Sequence, residues 1–194
     1  MTNRIMTIAA RAMAVLLFAG AAQVATAQHV EDGAFSITLP EGYSKFTKQV
    51  QKAGEITATN WISKAPTGEA VVVTMSQMTG KILEPETMME STRDSLLKSL
   101  SATLEKEQAD AVETEALYFF RSPQAVFESR LVVDEDRLFQ LLYVGRSDEQ
   151  RNAPAVAQLF QSFEVAKTAP AEAAPAATPV ETTSAAPADT TSAQ

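Results

Sequence analysis

The sequence predicts an α+β domain in which a mostly antiparallel sheet is sandwiched by helices. Short runs of alternating or β-branched residues stand on both sides of one long helical pattern, so strands and helices do not alternate along the chain. The run Arg137–Gly145, "RLFQLLYVG", is apolar on both faces, which is typical of a central strand covered by a layer on each side. The 138 residues from 28 to 165 fit one domain.

The two ends of the chain are predicted to lie outside this domain. Residues 1–27 combine Arg4 and Arg11 with a short apolar run and the small residues "ATA", which indicates a cleaved signal peptide and a periplasmic or secreted protein. That run is too short for stable membrane insertion, and removing it leaves Gln28 as the first residue. Residues 166–194 are rich in Ala, Pro, Thr and Ser, so we expect a disordered tail.

Composition excludes several classes of function. The chain has no cysteine, so thiolate nucleophiles and cysteine-based metal sites are excluded. Its one histidine, His29, stands beside the predicted mature end, where it is a poor catalytic base. Loss of the two leader arginines takes the net charge from −8 to −10, which argues against binding of nucleic acid or anionic membranes.

The first half of the domain is predicted to hold three strands and a long helix. Phe35–Leu39 alternates and should end in a turn at residues 40–42, with Tyr43 folding back behind it. Two further strands are expected at 56–63 and 70–77. From Pro85 to about residue 107 the spacing of apolar residues fits one helical stripe, made of Met89, Leu96, Leu97, Leu100 and Leu104.

A three-strand meander and a second helix follow. The strands are expected at 116–120, 125–133 and 137–145, and the helix at 153–163. This order of elements, with the motifs "LPEGY" and "QSFEV", resembles the PsbP/Mog1-like superfamily and is most similar to DcrB-like secreted bacterial proteins. The resemblance implies the α+β fold. It implies no catalytic residues, because members of the superfamily serve unrelated roles.

Four residues form the candidate interaction surface. Tyr43 and Trp61 could belong to an exposed aromatic patch, although burial at the sheet edge is the alternative. Glu128 and Arg130 are expected on the face of their strand opposite Phe127, where they could line a groove or join a cross-strand polar network.

Metal sites are weaker alternatives, and we expect no cofactor. Met75 and Met78 should point to opposite faces of a strand, and the adjacent Met88 and Met89 should diverge on the helix, so core packing is favoured over Cu(I) binding. The acids at 134–136, with Asp148 and Glu149, could bind Ca²⁺, but a solvated hairpin turn is favoured.

These observations favour an exported, non-enzymatic accessory domain that binds another cell-envelope protein. A small-ligand or metal-binding periplasmic protein is the alternative. An enzyme that uses carboxylates alone is the third possibility, but the sequence holds no Gly-rich phosphate loop, GxSxG or HExxH motif.

Overall fold

The computed structural model describes residues 27–79, 84–109 and 114–166 of the chain. The predicted signal peptide lies outside these residues except for Ala27, and the predicted tail lies outside them except for Ala166. In these three ranges no helix has the length and apolar character needed to cross a membrane.

Ten strands and three helices make up the described part of the chain. The strands are β1 (Gln28–Glu31), β2 (Phe35–Leu39), β3 (Thr47–Ala53), β4 (Ile56–Lys64), β5 (Ala70–Met78), β6 (Thr103–Ala109), β7 (Glu115–Arg121), β8 (Val126–Asp134), β9 (Arg137–Gly145) and β10 (Glu164–Val165). The helices are α1 (Pro85–Leu100), α2 (Asp148–Arg151) and α3 (Pro154–Gln161).

The strands form two antiparallel sheets. The larger sheet has seven strands in the order β3-β4-β5-β9-β8-β7-β6, and the smaller one has the order β1-β2-β10. The face of the large sheet that carries Phe139, Leu141 and Tyr143 is called the front face. It packs against β2 and α3. The back face carries Leu138 and Leu142, and it packs against α1.

The prediction that β9 is a central strand buried on both faces is confirmed. Its three front residues are fully buried against the small sheet and α3, while Leu142 is buried against the back layer. The sequence predicted both helical covers but not the small sheet that shares the front layer with α3. Burial from both sides stabilises this strand because each large apolar side chain removed from water contributes roughly 1.5–3 kcal/mol.

The turn after β2 also forms as predicted. The N–H of Tyr43 donates to the carbonyl of Pro40 at 3.4 Å, and Gly42 has φ +88°. A positive φ is readily adopted by glycine because it has no Cβ. The turn directs Tyr43 back into the front core, where its side chain is buried.

The predicted length of the long helix was wrong. Helix α1 ends at Leu100, because Ser101 adopts a left-handed conformation with φ 48° and the N–H of Ala102 donates to the carbonyl of Leu97. Such hydrogen bonds satisfy the last carbonyls of a helix and stop it. Leu104, which had been assigned to the helical stripe, lies instead in β6 and is 38% exposed. Its fit to the helical period was a coincidence, and pairing with β7 decides its structure.

Candidate binding surface

Of the four residues predicted to form an interaction surface, the two aromatic ones are in the core. Tyr43 is 7% exposed and Trp61 is 3% exposed, so they do not form an exposed aromatic patch. Both belong to the cluster between the front face and its covering layer. The alternative that the sequence left open, burial of aromatic residues, is the one that the structure shows.

Trp61 lies at the centre of a small polar and aromatic arrangement near β3. Its indole Nε1 donates to Asp32 Oδ2 at 2.8 Å, and its ring meets Phe35 edge-on with the centroids 4.9 Å apart. Lys48 Nζ lies 3.3 Å from Asp32 Oδ1 and 4.9 Å from the centre of the Trp61 ring. A buried indole N–H needs such an acceptor, and Asp32 therefore ties the β1–β2 turn to the edge of the large sheet.

Arg130 acts as a brace between the sheet and the end of α3. Its guanidinium makes two hydrogen bonds to the Glu115 carboxylate, at 2.6 and 3.1 Å. Its Nη1 also donates to the carbonyls of Phe160 and Phe163, at 2.9 and 3.0 Å. The planar guanidinium suits this task because it offers several donors in fixed directions. The structure thus assigns Arg130 to the polar network, and its cross-strand neighbour Leu141 lies beside it in the core.

Glu128 is the predicted residue whose carboxylate remains without a hydrogen bond to any described residue. It lies in β8 directly between Phe119 of β7 and Tyr143 of β9, on the front face. Burial raises the pKa of Glu128 to about 7, and the charge of Arg151 partly offsets that shift. A proton transfer partner would have to lie within hydrogen-bond distance, and no described side chain does. Glu128 is therefore a half-buried carboxyl group that titrates near neutral pH.

The Tyr143 hydroxyl beside it is also unusual. It is buried and makes no hydrogen bond within the described residues. Its ring packs so closely on Gly145 that a Cβ there would stand 2.9 Å from the hydroxyl oxygen. Burial raises the pKa of Tyr143 above its ordinary value, so the phenol stays protonated.

A surface groove opens on the front face at the opposite end of the sheet. One wall is the β1–β2 turn at residues 32–34, and the other is the β8–β9 turn at residues 135–136 together with Arg137 at the start of β9. Met75 and Gln77 of β5 form its floor, and its volume is about 850 Å³. Ala166 is bonded to two residues that line the groove: its N–H donates to the carbonyl of Ala34 at 2.9 Å, and its carbonyl accepts from Arg137 Nη2 at 2.9 Å.

Three of the four charged groups that line this groove are bonded to neighbouring side chains, and the fourth is Glu135 of the β8–β9 turn. Asp32 binds Trp61 and Lys48, Asp136 Oδ2 accepts from Gln77 Nε2 at 3.4 Å, and Arg137 pairs with Asp134. The groove therefore provides a concave surface with a polar rim, in which most of the charged side chains are already bonded. That combination suits the docking of a protein segment.

The residues considered for metal binding have structural roles. Met75 and Met78 pack on opposite faces as predicted, but Met88 and Met89 do not diverge, since both are buried in the back cluster. Glu135 and Asp136 form the predicted hairpin turn, with Asp134 as the last residue of β8, and Asp148 is held by Arg121 and Arg151. Within residues 27–79, 84–109 and 114–166, no three His, Asp or Glu side chains come together in a metal-binding arrangement.

Sequence reasoning missed Asp32, Lys48 and Val50, which surround the β3 edge. Residues 47–53, "TKQVQKA", hold one large apolar residue among polar ones, so neither face shows the alternation by which a half-buried strand is recognised. The signal that could have found β3 is the Ala-Gly-Glu-Ile turn at residues 53–56, which connects it to a clear strand.

Comparison with known proteins shows the fold. No protein-family model and no curated protein sequence matches the chain, whereas thirteen chains of solved structures match it. One is cyanobacterial PsbP (CyanoP) from Synechocystis sp. PCC 6803, with a TM-score of 0.55 and 14% sequence identity. The match covers 78% of this chain and 99% of that chain. The described domain therefore has a PsbP-like fold, as the sequence predicted, and the narrower similarity to DcrB-like proteins stays a prediction.

Proposed function

We propose that this PsbP-like domain is an exported, non-enzymatic accessory protein of the bacterial cell envelope that binds another envelope protein. The observation that carries the proposal is the open front groove, in which Asp32, Asp136 and Arg137 are already bonded to neighbouring side chains. A groove in which most charged groups are already bonded recognises a partner mainly by shape and hydrogen bonding. A fold shared with PsbP adds no catalytic assignment.

Site-directed crosslinking tests this proposal. Because the chain has no cysteine, a single Gln77→Cys substitution places a photoreactive label only in the groove, at an exposed position. The matched control is Lys98→Cys, which is exposed on α1 behind the opposite face. We expect one envelope protein to crosslink from the groove and not from α1. Absence of any crosslink, or equal crosslinking from both positions, would contradict the proposal.

Export is tested with the same material. Expression with the native leader in a Gram-negative host should deliver a protein to the periplasm whose intact mass corresponds to residues 28–194. A protein of full mass in the cytosol would exclude export.

The groove also supports the second candidate, binding of a small ligand. Its volume of about 850 Å³ lies in the range of ligand pockets. Thermal unfolding of the purified chain with divalent metals and with envelope metabolites at millimolar concentration should raise the Tm for a true ligand. A Tm that stays constant across this panel would remove the small-ligand alternative.

A further inference from the structure

The two edges of the large sheet differ in a way that singles out β3. Strand β3 pairs with β4 through seven consecutive residues without a register shift, whereas β6 has a bulge between Leu104 and Lys106. In the described part of the chain, no strand pairs with the other side of β3. An edge strand that is regular and unpaired presents its backbone N–H and C=O groups as a template for a further strand, and a bulge disrupts such a template.

The side chains of β3 give this edge a defined chemistry. Lys48 lies opposite Trp61, whose ring is in the front core, so the alternation of a strand places Lys48, Val50 and Lys52 on the front side. Val50 is 62% exposed, more than any other large apolar residue of the described chain. An apolar side chain thus stands between two lysines on an otherwise acidic protein.

All three charged residues of β6 make contacts within the domain, whereas on β3 such contacts are made by Lys48, with Asp32 and Trp61. Glu105 pairs with Arg121 and Arg151, and Glu107 pairs with Arg93 at 3.3 Å. Lys106 Nζ lies 5.5 Å from the centre of the Phe119 ring. The bulge and these contacts protect the β6 edge, so of the two edges of the large sheet the β3 edge is the one left for association.

Charge also decides which partner fits β3. If two copies paired antiparallel through Val50, Lys48 of one would face Lys52 of the other, and like charges directly opposite each other are destabilising. Carboxylates at those two positions would be favourable instead. Lysines on an edge therefore oppose self-association while they permit an acidic strand.

We propose that β3 accepts an extended segment of a partner protein as an eighth strand of the sheet. The segment carries an apolar residue opposite Val50 and acidic residues opposite Lys48 and Lys52. This inference rests on the proposed binding function and deepens it, because it names the surface and the chemistry of the partner. Backbone hydrogen bonds along β3 supply affinity, and the alternating side chains supply specificity.

Trp61 provides a direct readout of binding at this edge. It is the one tryptophan of the chain, and the Lys48 ammonium group lies over its ring. A carboxylate that attracts Lys48 away from Asp32 changes the surroundings of the indole. Binding should therefore change the fluorescence of Trp61, and backbone amide shifts in an NMR spectrum should move along residues 47–53.

The probe is a blocked heptapeptide, acetyl-Thr-Glu-Thr-Val-Thr-Glu-Thr-amide, added to the chain from residue 28 to 194. The controls are the same peptide with Lys in place of both Glu residues, and the acidic peptide N-methylated at alternate residues. We expect the acidic peptide to bind at least about 10-fold more tightly than either control, with amide shifts centred on β3. Equal binding of the acidic and basic peptides, or no loss on N-methylation, would overturn the inference.

Substitution of Lys52 completes the test and separates this inference from the proposed function. Lys52→Glu leaves the Lys48–Asp32 contact in place. It should lower the affinity for the acidic peptide and raise the affinity for the basic peptide by several-fold. If the acidic peptide fails to bind while crosslinking from the groove continues unchanged in Lys52→Glu, the β3 inference is wrong and the proposed function stands. If the crosslinked partner is lost in Lys52→Glu, β3 forms part of the binding surface.

Discussion

Glu128 and Tyr143 face each other across the β8–β9 ladder, and neither the carboxylate nor the phenol hydroxyl has a hydrogen-bond partner within the described residues. Buried polar groups usually have partners, because an unpaired group costs about 1–3 kcal/mol of desolvation. The buried hydroxyl of Tyr143 and the half-buried carboxyl of Glu128 are therefore both expected to reduce the stability of the fold. Two predictions concern this pair directly.

Replacement of Glu128 by Gln should alter how stability depends on pH. Burial raises the pKa of Glu128 from 4.5 to about 7, so the folded state holds the proton more tightly than the unfolded state. The stability that this group contributes is complete below pH 4.5 and is lost as the pH rises through 7. At pH 8 we expect Glu128→Gln to be more stable than the natural chain by about 1–2 kcal/mol, after allowance for solvent screening.

Urea unfolding at pH 5 and pH 8 measures this effect. The difference between Glu128→Gln and the natural chain should be much smaller at pH 5 than at pH 8. Glu90→Gln, at an exposed position of α1, is the matched control and should show no such trend. A Glu128→Gln protein that is less stable than the natural chain at pH 8 would show that the carboxylate has a favourable partner.

Removal of the Tyr143 hydroxyl should be tolerated. Because that oxygen is buried without a hydrogen bond in the described structure, Tyr143→Phe should leave the free energy of unfolding unchanged or raise it by up to about 1 kcal/mol. Leu141→Ala, a fully buried neighbour on the same strand, should cost about 2–5 kcal/mol and shows that the measurement is sensitive. A loss above about 1 kcal/mol for Tyr143→Phe would mean that the hydroxyl is bonded in solution.

Arg130 should be the most sensitive charged residue of the front layer. Arg130→Lys keeps the charge but cannot reproduce the fork that holds Glu115 and the two carbonyls at the end of α3. We expect a loss of about 2–3 kcal/mol in urea unfolding, because carbonyls and a carboxylate lose their donors together. Lys98→Ala on the exposed side of α1 should change stability by less than about 0.5 kcal/mol. Equal effects of the two substitutions would contradict the bracing role.

The end of helix α1 gives a prediction whose sign depends on the fold. Ser101 has φ 48°, so Ser101→Gly should stabilise the domain by about 0.5–1 kcal/mol, because glycine adopts this conformation without strain. The same change inside the helix, at Glu90, should destabilise by about 1 kcal/mol. If the helix continued through residue 107, both substitutions would destabilise.

The strands that could be predicted from the sequence are those with a clear apolar pattern of their own. Strand β2 was predicted from the alternation of Phe35, Ile37 and Leu39, and β9 from the apolar run at residues 137–145. Both predictions succeeded because positions that are buried in a strand are occupied by apolar residues. The α+β class and the turn before Tyr43 were predicted from the same pattern of apolar and polar residues. The strands at 28–31, 47–53, 103–109 and 164–165 were missed since their pairing partners, rather than their own apolar pattern, hold them in place.

The positions of the four residues of the candidate surface were predicted only in part from the sequence. Arg130 and Glu128 were correctly expected on the front face, but the sequence could not show that Arg130 is fully bonded while Glu128 is not. That difference arises because Glu115 and the end of α3 meet Arg130, whereas Phe119 and Tyr143 flank Glu128. Trp61 and Tyr43 were placed by the small sheet, whose strands come from both ends of the domain.

The sequence was enough to predict several strands with apolar faces, one long helix and the polar turns between them. Apolar side chains that recur with a regular period are buried together, because their removal from water is favourable. Which polar groups find partners, and which edge of the sheet stays unpaired, could be seen only in the folded structure. Those outcomes depend on contacts between residues far apart in the chain, such as Asp32 with Trp61 and Arg130 with Phe163.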